Sequence, residues 1–152
     1  MIKQEYNRLK KKYNLPDFNK LDKEFEISTI DPNLFSIRAV RRKMLEKLIF
    51  FSKILETTLF PNLESLSTMY ESRFFSEEDK DKISETYRVV MLHSRRFLKA
   101  DVNPEDKTDA KLIKDLSKDW PKIKDKVGQL VNKMEACWNK KDVKIKDLIY
   151  FG

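Results

Sequence analysis

Residues 31–60 read DPNLFSIRAVRRKMLEKLIFFSKILETTLF, and this stretch decides the fold class. Asp31-Pro32 is a helix start: a carboxylate that accepts from free N–H groups, then a proline whose fixed φ and missing donor suit a first turn. No helix breaker follows until Pro61. At about 100° per residue, Leu34, Ile37, Val40, Met44, Leu48, Phe51, Leu55 and Leu59 fall on one stripe. Leu45, Ile49 and Ile54 widen it, and Phe50 lies further round. A helix apolar over so much of its circumference is packed on several sides, which predicts a long central helix over 32–60.

The flanks read as shorter helices. Ile2, Tyr6, Leu9 and Tyr13 share one helical face as far as Pro16, and Asp17 can cap a short helix carrying Phe18, Leu21 and Phe25. Beyond Pro61, Leu63, Leu66, Tyr70 and Phe74 make another face. Ser76-Glu77-Glu78-Asp79 then opens a helix with a hydroxyl cap and carboxylates in the first turn. Its expected core stripe is Ile83, Tyr87, Val90, Met91, Phe97 and Leu98, with Ser94 among them, and Asn103-Pro104 breaks it. Ala110, Leu112, Ile113 and Leu116 follow. Asp119-Trp120-Pro121 then reads as a new helix entry leading to buried Ile123, Val127, Leu130, Val131, Met134 and Trp138. The prediction is an all-α protein: a single helical bundle of five to six helices around one long central helix. It forms one domain over 1–152, with N-terminal helical segments in 1–30 and an extended apolar C-terminal tail. In that tail, 142–152, the residues Leu148, Ile149, Tyr150 and Phe151 dock either on the bundle or in a partner's groove.

Composition narrows the function. The chain has 152 residues, 38% of them charged, with two Gly, one Cys and one His. One cysteine excludes an intramolecular disulfide framework and multi-cysteine metal sites, and two glycines leave little for Gly-rich phosphate loops. No nucleophile elbow or Walker lysine occurs, so no enzyme and no cofactor are expected. His93 falls on the flank of its helix, away from the core stripe, and Cys137 reads as a small buried hydrophobe. The longest apolar run, 48–51, is four residues, so no membrane span is expected and a cytoplasmic setting is.

The net charge of +7 is uneven, with twelve Lys/Arg against seven Asp/Glu in residues 1–50. Candidate contacts to phosphates or a partner are Arg8, Lys10, Lys11 and Lys12 on the first helix, and Arg38, Arg41 and Arg42 on the long one. Arg88, Arg95 and Lys99 line one edge of the helix after Ser76. Arg41 sits inside the apolar stripe, where it must snorkel or meet a carboxylate such as Glu71 or Glu85. The leading expectation is a non-enzymatic adaptor or subunit of a nucleic-acid-handling assembly, with RNA, DNA or ribonucleoprotein as partner. The alternative is a protein–protein interaction module without nucleic-acid contact, its partner held by the C-terminal tail.

Two resemblances attach to particular motifs. Leu15-Pro16-Asp17-Phe18, 21–27, Ile37-Arg38-Ala39-Val40-Arg41-Arg42-Lys43 with Glu46-Lys47, Tyr70-Glu71-Ser72 and Tyr150-Phe151-Gly152 resemble a family of small archaeal proteins of unknown function. That resemblance implies a cytoplasmic archaeal setting and no activity. The order of a long arginine-bearing helix followed by Phe75-Ser76-Glu77-Glu78 is similar to the helical domain of GINS replication subunits, which implies a scaffold role. The chain departs from that pattern after Lys141, where too few residues remain for the small β domain usual in that family.

Overall fold

The computed structural model describes residues 1–139, and among these every regular element is helical. Six α-helices follow in order: α1 Ile2–Tyr13, α2 Phe18–Phe25, α3 Ile37–Leu59, α4 Leu66–Ser72, α5 Glu77–Val102 and α6 Asp106–Trp138. Short 3₁₀ turns at Ile27–Thr29 and Pro32–Leu34 lie between α2 and α3. The chain divides into two compact units, one of residues 1–50 and 91–121 and the other of 51–90 and 122–152. The divisions cut α3, α5 and α6 rather than loops, which is why no linker composition marks them in the sequence. The apolar tail 142–152 lies outside the described residues.

The long helix starts later than its sequence suggests. Asp31 caps only the 3₁₀ turn, accepting from Asn33 N–H at 2.9 Å, and Leu34 is left 70% exposed. Ser36 supplies the cap of α3, its hydroxyl accepting from Ala39 N–H at 3.0 Å. Proline fixes a φ compatible with either helix type, so Asp-Pro marks a turn start without setting its length. From Ile37 to Leu55 the predicted stripe is buried, through Val40, Met44, Leu48 and Phe51, and Leu59 at its end is half-buried.

Three other predictions change. α6 runs unbroken through Pro121, with no new helix entry there. An internal proline removes a hydrogen bond and crowds the carbonyl four residues back, costing about 3 kcal/mol. Leu116 and Trp120 before it, and Ile123, Val127 and Leu130 after it, continue one 3–4 spacing and are all buried. Each contributes about 1.5–3 kcal/mol, so their sum outweighs the local cost. That spacing ends on Cys137, which is buried as expected, leaving Val131 and Trp138 40% and 42% exposed rather than buried. On α5 the inward row is Ile83, Thr86, Val90, His93, Phe97 and Ala100, and Leu98 is turned out. The row admits a hydroxyl and an imidazole that each find a partner: Thr86 donates to the Lys82 carbonyl at 3.1 Å, and His93 pairs with Asp119 through Nε2, its buried Nδ1 meeting no partner among the described residues. On α4 only Tyr70 of the predicted face is buried; Leu63 and Leu66 are exposed, and Phe74 lies between.

In the first unit, Tyr6, Phe18, Leu21, Phe25 and Trp120 close the N-terminal helices onto α6. Tyr6 donates to the Pro16 carbonyl at 2.7 Å and meets Phe18 edge-on, which orders the α1–α2 turn. That turn leaves α1 through Asn14 at φ 55°, a left-handed conformation that asparagine tolerates better than most residues. Trp120 packs on Phe25 at 4.6 Å between centroids and donates its indole N–H to Glu24 at 2.9 Å. In the second unit, Tyr70 packs on Phe74 and Trp138 and donates its hydroxyl to the Cys137 carbonyl at 3.0 Å. Ser76 and Asp79 form a reciprocal cap: Asp79 N–H donates to the Ser76 hydroxyl at 3.1 Å, and Ser76 N–H to the Asp79 carboxylate at 2.9 Å.

Candidate nucleic-acid interface

The predicted basic residues separate into an inner group and an outer group. Arg41 is the inner one, at 0% exposure, so it is not a contact for phosphate or partner. Its Nε donates to Asp109 at 2.5 Å, one terminal nitrogen to Asp101 at 2.5 Å, and the other to the Phe97 carbonyl at 3.1 Å. Its carboxylate partners are therefore aspartates, not Glu71 or Glu85. A buried guanidinium is tolerable only when its donors are met, and here α5 and α6 supply all three acceptors. Arg41 lowers the carboxyl of Asp101 below the usual carboxylate range through this hydrogen bond, which keeps Asp101 ionised. The rim of the same network holds Arg42, 3.2 Å from Asp101, and Arg38, whose Nε lies 3.9 Å from Asp109.

His93 is a further inward polar group of this unit beside Arg41 and Asp109, at 2% exposure, which corrects its expected place on the helix flank. Its Nε2 lies 2.8 Å from the Asp119 carboxylate. A carboxylate only accepts, so Nε2 carries the proton and Asp119 fixes the tautomer. Among the described residues no group of three His, Cys, Asp or Glu is placed to hold a metal ion.

The outer group is largely lysine, and much of it lies on a helix not expected to carry it. Lys107, Lys111, Lys114 and Lys118 follow at intervals of four, three and four on α6, all on the side away from Leu116 and Trp120. This row is roughly 16 Å long at 1.5 Å per residue. Lys114 Nζ donates to the Tyr13 carbonyl at 3.1 Å, which brings the end of α1 against the row. The last turn of α1 carries Lys10, Lys11 and Lys12. Lys11 and Lys12 are exposed, Lys12 lies over the Tyr13 ring at 5.1 Å, and Lys10 pairs with Asp17 at 3.2 Å. Two lysine clusters 100 residues apart in sequence thus meet at one contact.

The remaining candidates are dispersed. Arg8 is exposed and paired with Glu5 at 2.8 Å. Arg95 and Lys99 are exposed on the part of α5 that belongs to the first unit. Arg88 belongs to the second unit and is held by Glu85 at 2.8 and 3.1 Å. Leu148, Ile149, Tyr150 and Phe151 lie outside the described residues.

The α6 row was readable as a spacing of lysines. The local charge count hid it: residues 101–121 hold four lysines against six carboxylates, an acidic balance. Three of those carboxylates are engaged with Arg41, Arg42 and His93. Engaged carboxylates are spent inside the unit, and the outer face of α6 keeps its lysines. Among the described residues no helix is long and apolar enough to cross a membrane. No protein-family model matches the chain, no curated protein does, and no solved structure does.

Proposed function

We propose that the chain is a non-enzymatic adaptor or subunit of a nucleic-acid-handling assembly, ribosome- or replication-associated, whose first unit rests on a phosphate backbone. The observation that carries this reading is the Lys114–Tyr13 hydrogen bond, which brings the lysine-bearing end of α1 against the lysine row of α6. The first unit holds nineteen Lys/Arg against thirteen Asp/Glu, a formal charge of +6 out of +7 for the whole chain. Lysines act as point charges on flexible stems and suit backbone contact more than base reading, so the expected binding is strong at low salt and indifferent to sequence.

The test is fluorescence anisotropy of a labelled duplex and a labelled single strand across a salt series. Each lysine that neutralises a phosphate of B-DNA contributes about 0.9 to the slope of log K against log salt. The triple variant Lys111→Gln/Lys114→Gln/Lys118→Gln is expected to flatten the slope by about 2–3, while Arg88→Gln leaves it unchanged. Absence of binding at low salt, or a slope untouched by the triple variant, overturns the proposal.

A second reading, a protein–protein interaction module, is favoured by one observation in the second unit. Phe60, Leu63 and Leu66 all stand exposed around the connection from α3 to α4. Clustered large apolar side chains on a surface mark contact sites. Under this reading Leu63→Ser/Leu66→Ser removes a partner that co-purifies with the wild-type chain, and the α6 lysine variants do not.

A further inference from the structure

The second unit contains a cleft of about 170 Å³ between α5 and α6, with Leu55 of α3 and Phe75 also in its wall. Its floor is apolar, formed by Leu55, Phe75, Ile83 and Leu130, each nearly fully buried. Its polar lining differs from end to end. At one end Lys133 pairs with Asp79 and lies over the Phe75 ring at 5.5 Å. Both charges there are consumed, and Asp79 is further held by the Ser76 N–H. Asp79 pairs with Lys133 and, further along α5, His93 with Asp119, so α5 and α6 run antiparallel, and Thr86 and Lys126 stand at the far end, roughly 10 Å from Asp79 along α5.

That far end carries an uncompensated cation. Lys126 is half-buried in the cleft and holds no hydrogen-bond or ion partner among the described residues. Lys82, one turn back on α5, makes only an exposed contact to Glu78 at 3.4 Å. The Thr86 hydroxyl donates to the Lys82 carbonyl and retains its lone pairs. An apolar floor with a neutralised end and a cationic end selects for shape and charge together.

We propose that this cleft binds a small amphipathic anion, a monocarboxylate with an unbranched or aromatic apolar body. The carboxylate lies against Lys126 and Lys82, and the apolar body covers Ile83, Leu130 and Phe75. The cleft is smaller than drug-sized pockets, which start at about 300 Å³, so the ligand is of the size of hexanoate or benzoate. A ligand that small binds with a Kd of about 1 mM. The site is independent of the phosphate-binding face, since none of its residues belongs to the first unit.

The experiment is a titration of the ¹⁵N-labelled full chain with sodium hexanoate, followed by amide chemical shifts, with hexan-1-ol and sodium acetate as comparison probes. Saturable shifts are expected at Phe75, Ile83, Thr86, Gln129 and Leu130. Hexan-1-ol and acetate should each bind about tenfold more weakly, one lacking the charge and the other the apolar body. Lys126→Met should weaken hexanoate by a similar factor, with Lys126→Arg retaining it. Hexan-1-ol binding as tightly as hexanoate overturns the proposal and needs no variant to do so. Shifts gathered on Lys111, Lys114 and Lys118 overturn it as well, as does equal response to acetate.

Discussion

The two units solve the same problem, holding halves of the same three helices together, by different means. The first buries charge. Arg41 is enclosed completely and its donors meet Asp109, Asp101 and the Phe97 carbonyl. The second keeps its ion pairs nearer the surface and relies on apolar packing around Tyr70 and Phe75, on a reciprocal cap at Ser76, and on Lys133 laid across Phe75. Buried charges add little net stability over apolar residues of the same volume, but they penalise any arrangement that leaves one unpaired. The first unit is therefore the more narrowly specified, and its outer surface carries almost all of the excess positive charge.

Substitution of the buried arginine breaks this contrast most directly. Arg41→Met strands Asp109, itself 0% exposed, and should cost about 3–5 kcal/mol in urea unfolding. Adding Asp109→Leu should recover much of that loss, because the uncompensated charge goes with it. Hydrogen exchange locates the effect: amides of the first unit should lose more protection than those of the second. If Arg41→Met costs no more than a surface substitution, the contrast fails.

A gain is expected in the second unit. Gly128 lies in α6, is exposed, and a methyl group there meets no atom within 4 Å. Gly128→Ala should stabilise by about 0.5–1 kcal/mol through the unfolded state and helix propensity. Acid should separate the units less sharply. The hydrogen bond from Lys133 lowers Asp79 from its ordinary 3.8 to about 2, so its contribution is fully present above pH 3.8 and is lost as pH falls through about 2. Thermal unfolding across that window should show a dependence that Asp79→Asn reduces. Smallest is Arg88→Ala, which breaks an exposed, solvent-screened pair with Glu85 one turn away and should leave the urea-unfolding midpoint nearly unchanged.

The sequence by itself determined the helical class, the inward stripe of α3, the burial of Cys137 and the start of α5. Each follows from local rules: a 3.6-residue period, a proline or hydroxyl cap, and scarce glycine. It also placed Arg41 in the apolar stripe, which is enough to demand a partner. Only the tertiary structure chose that partner, because Asp101 and Asp109 lie 60 and 68 residues away and no local pattern pairs them. The register of α5 was likewise a tertiary decision. Spacing favoured Leu98 and set His93 on the flank, yet it is the imidazole, paired with Asp119, that is buried and Leu98 that is exposed. Pro121 stays inside α6 because burial on both sides outweighs a local break, an energy comparison invisible to a rule that reads proline alone. The candidate site divides the same way. Its lysines are plain in the sequence, but their convergence depends on where α1 ends against α6, and it is long-range packing that sets this.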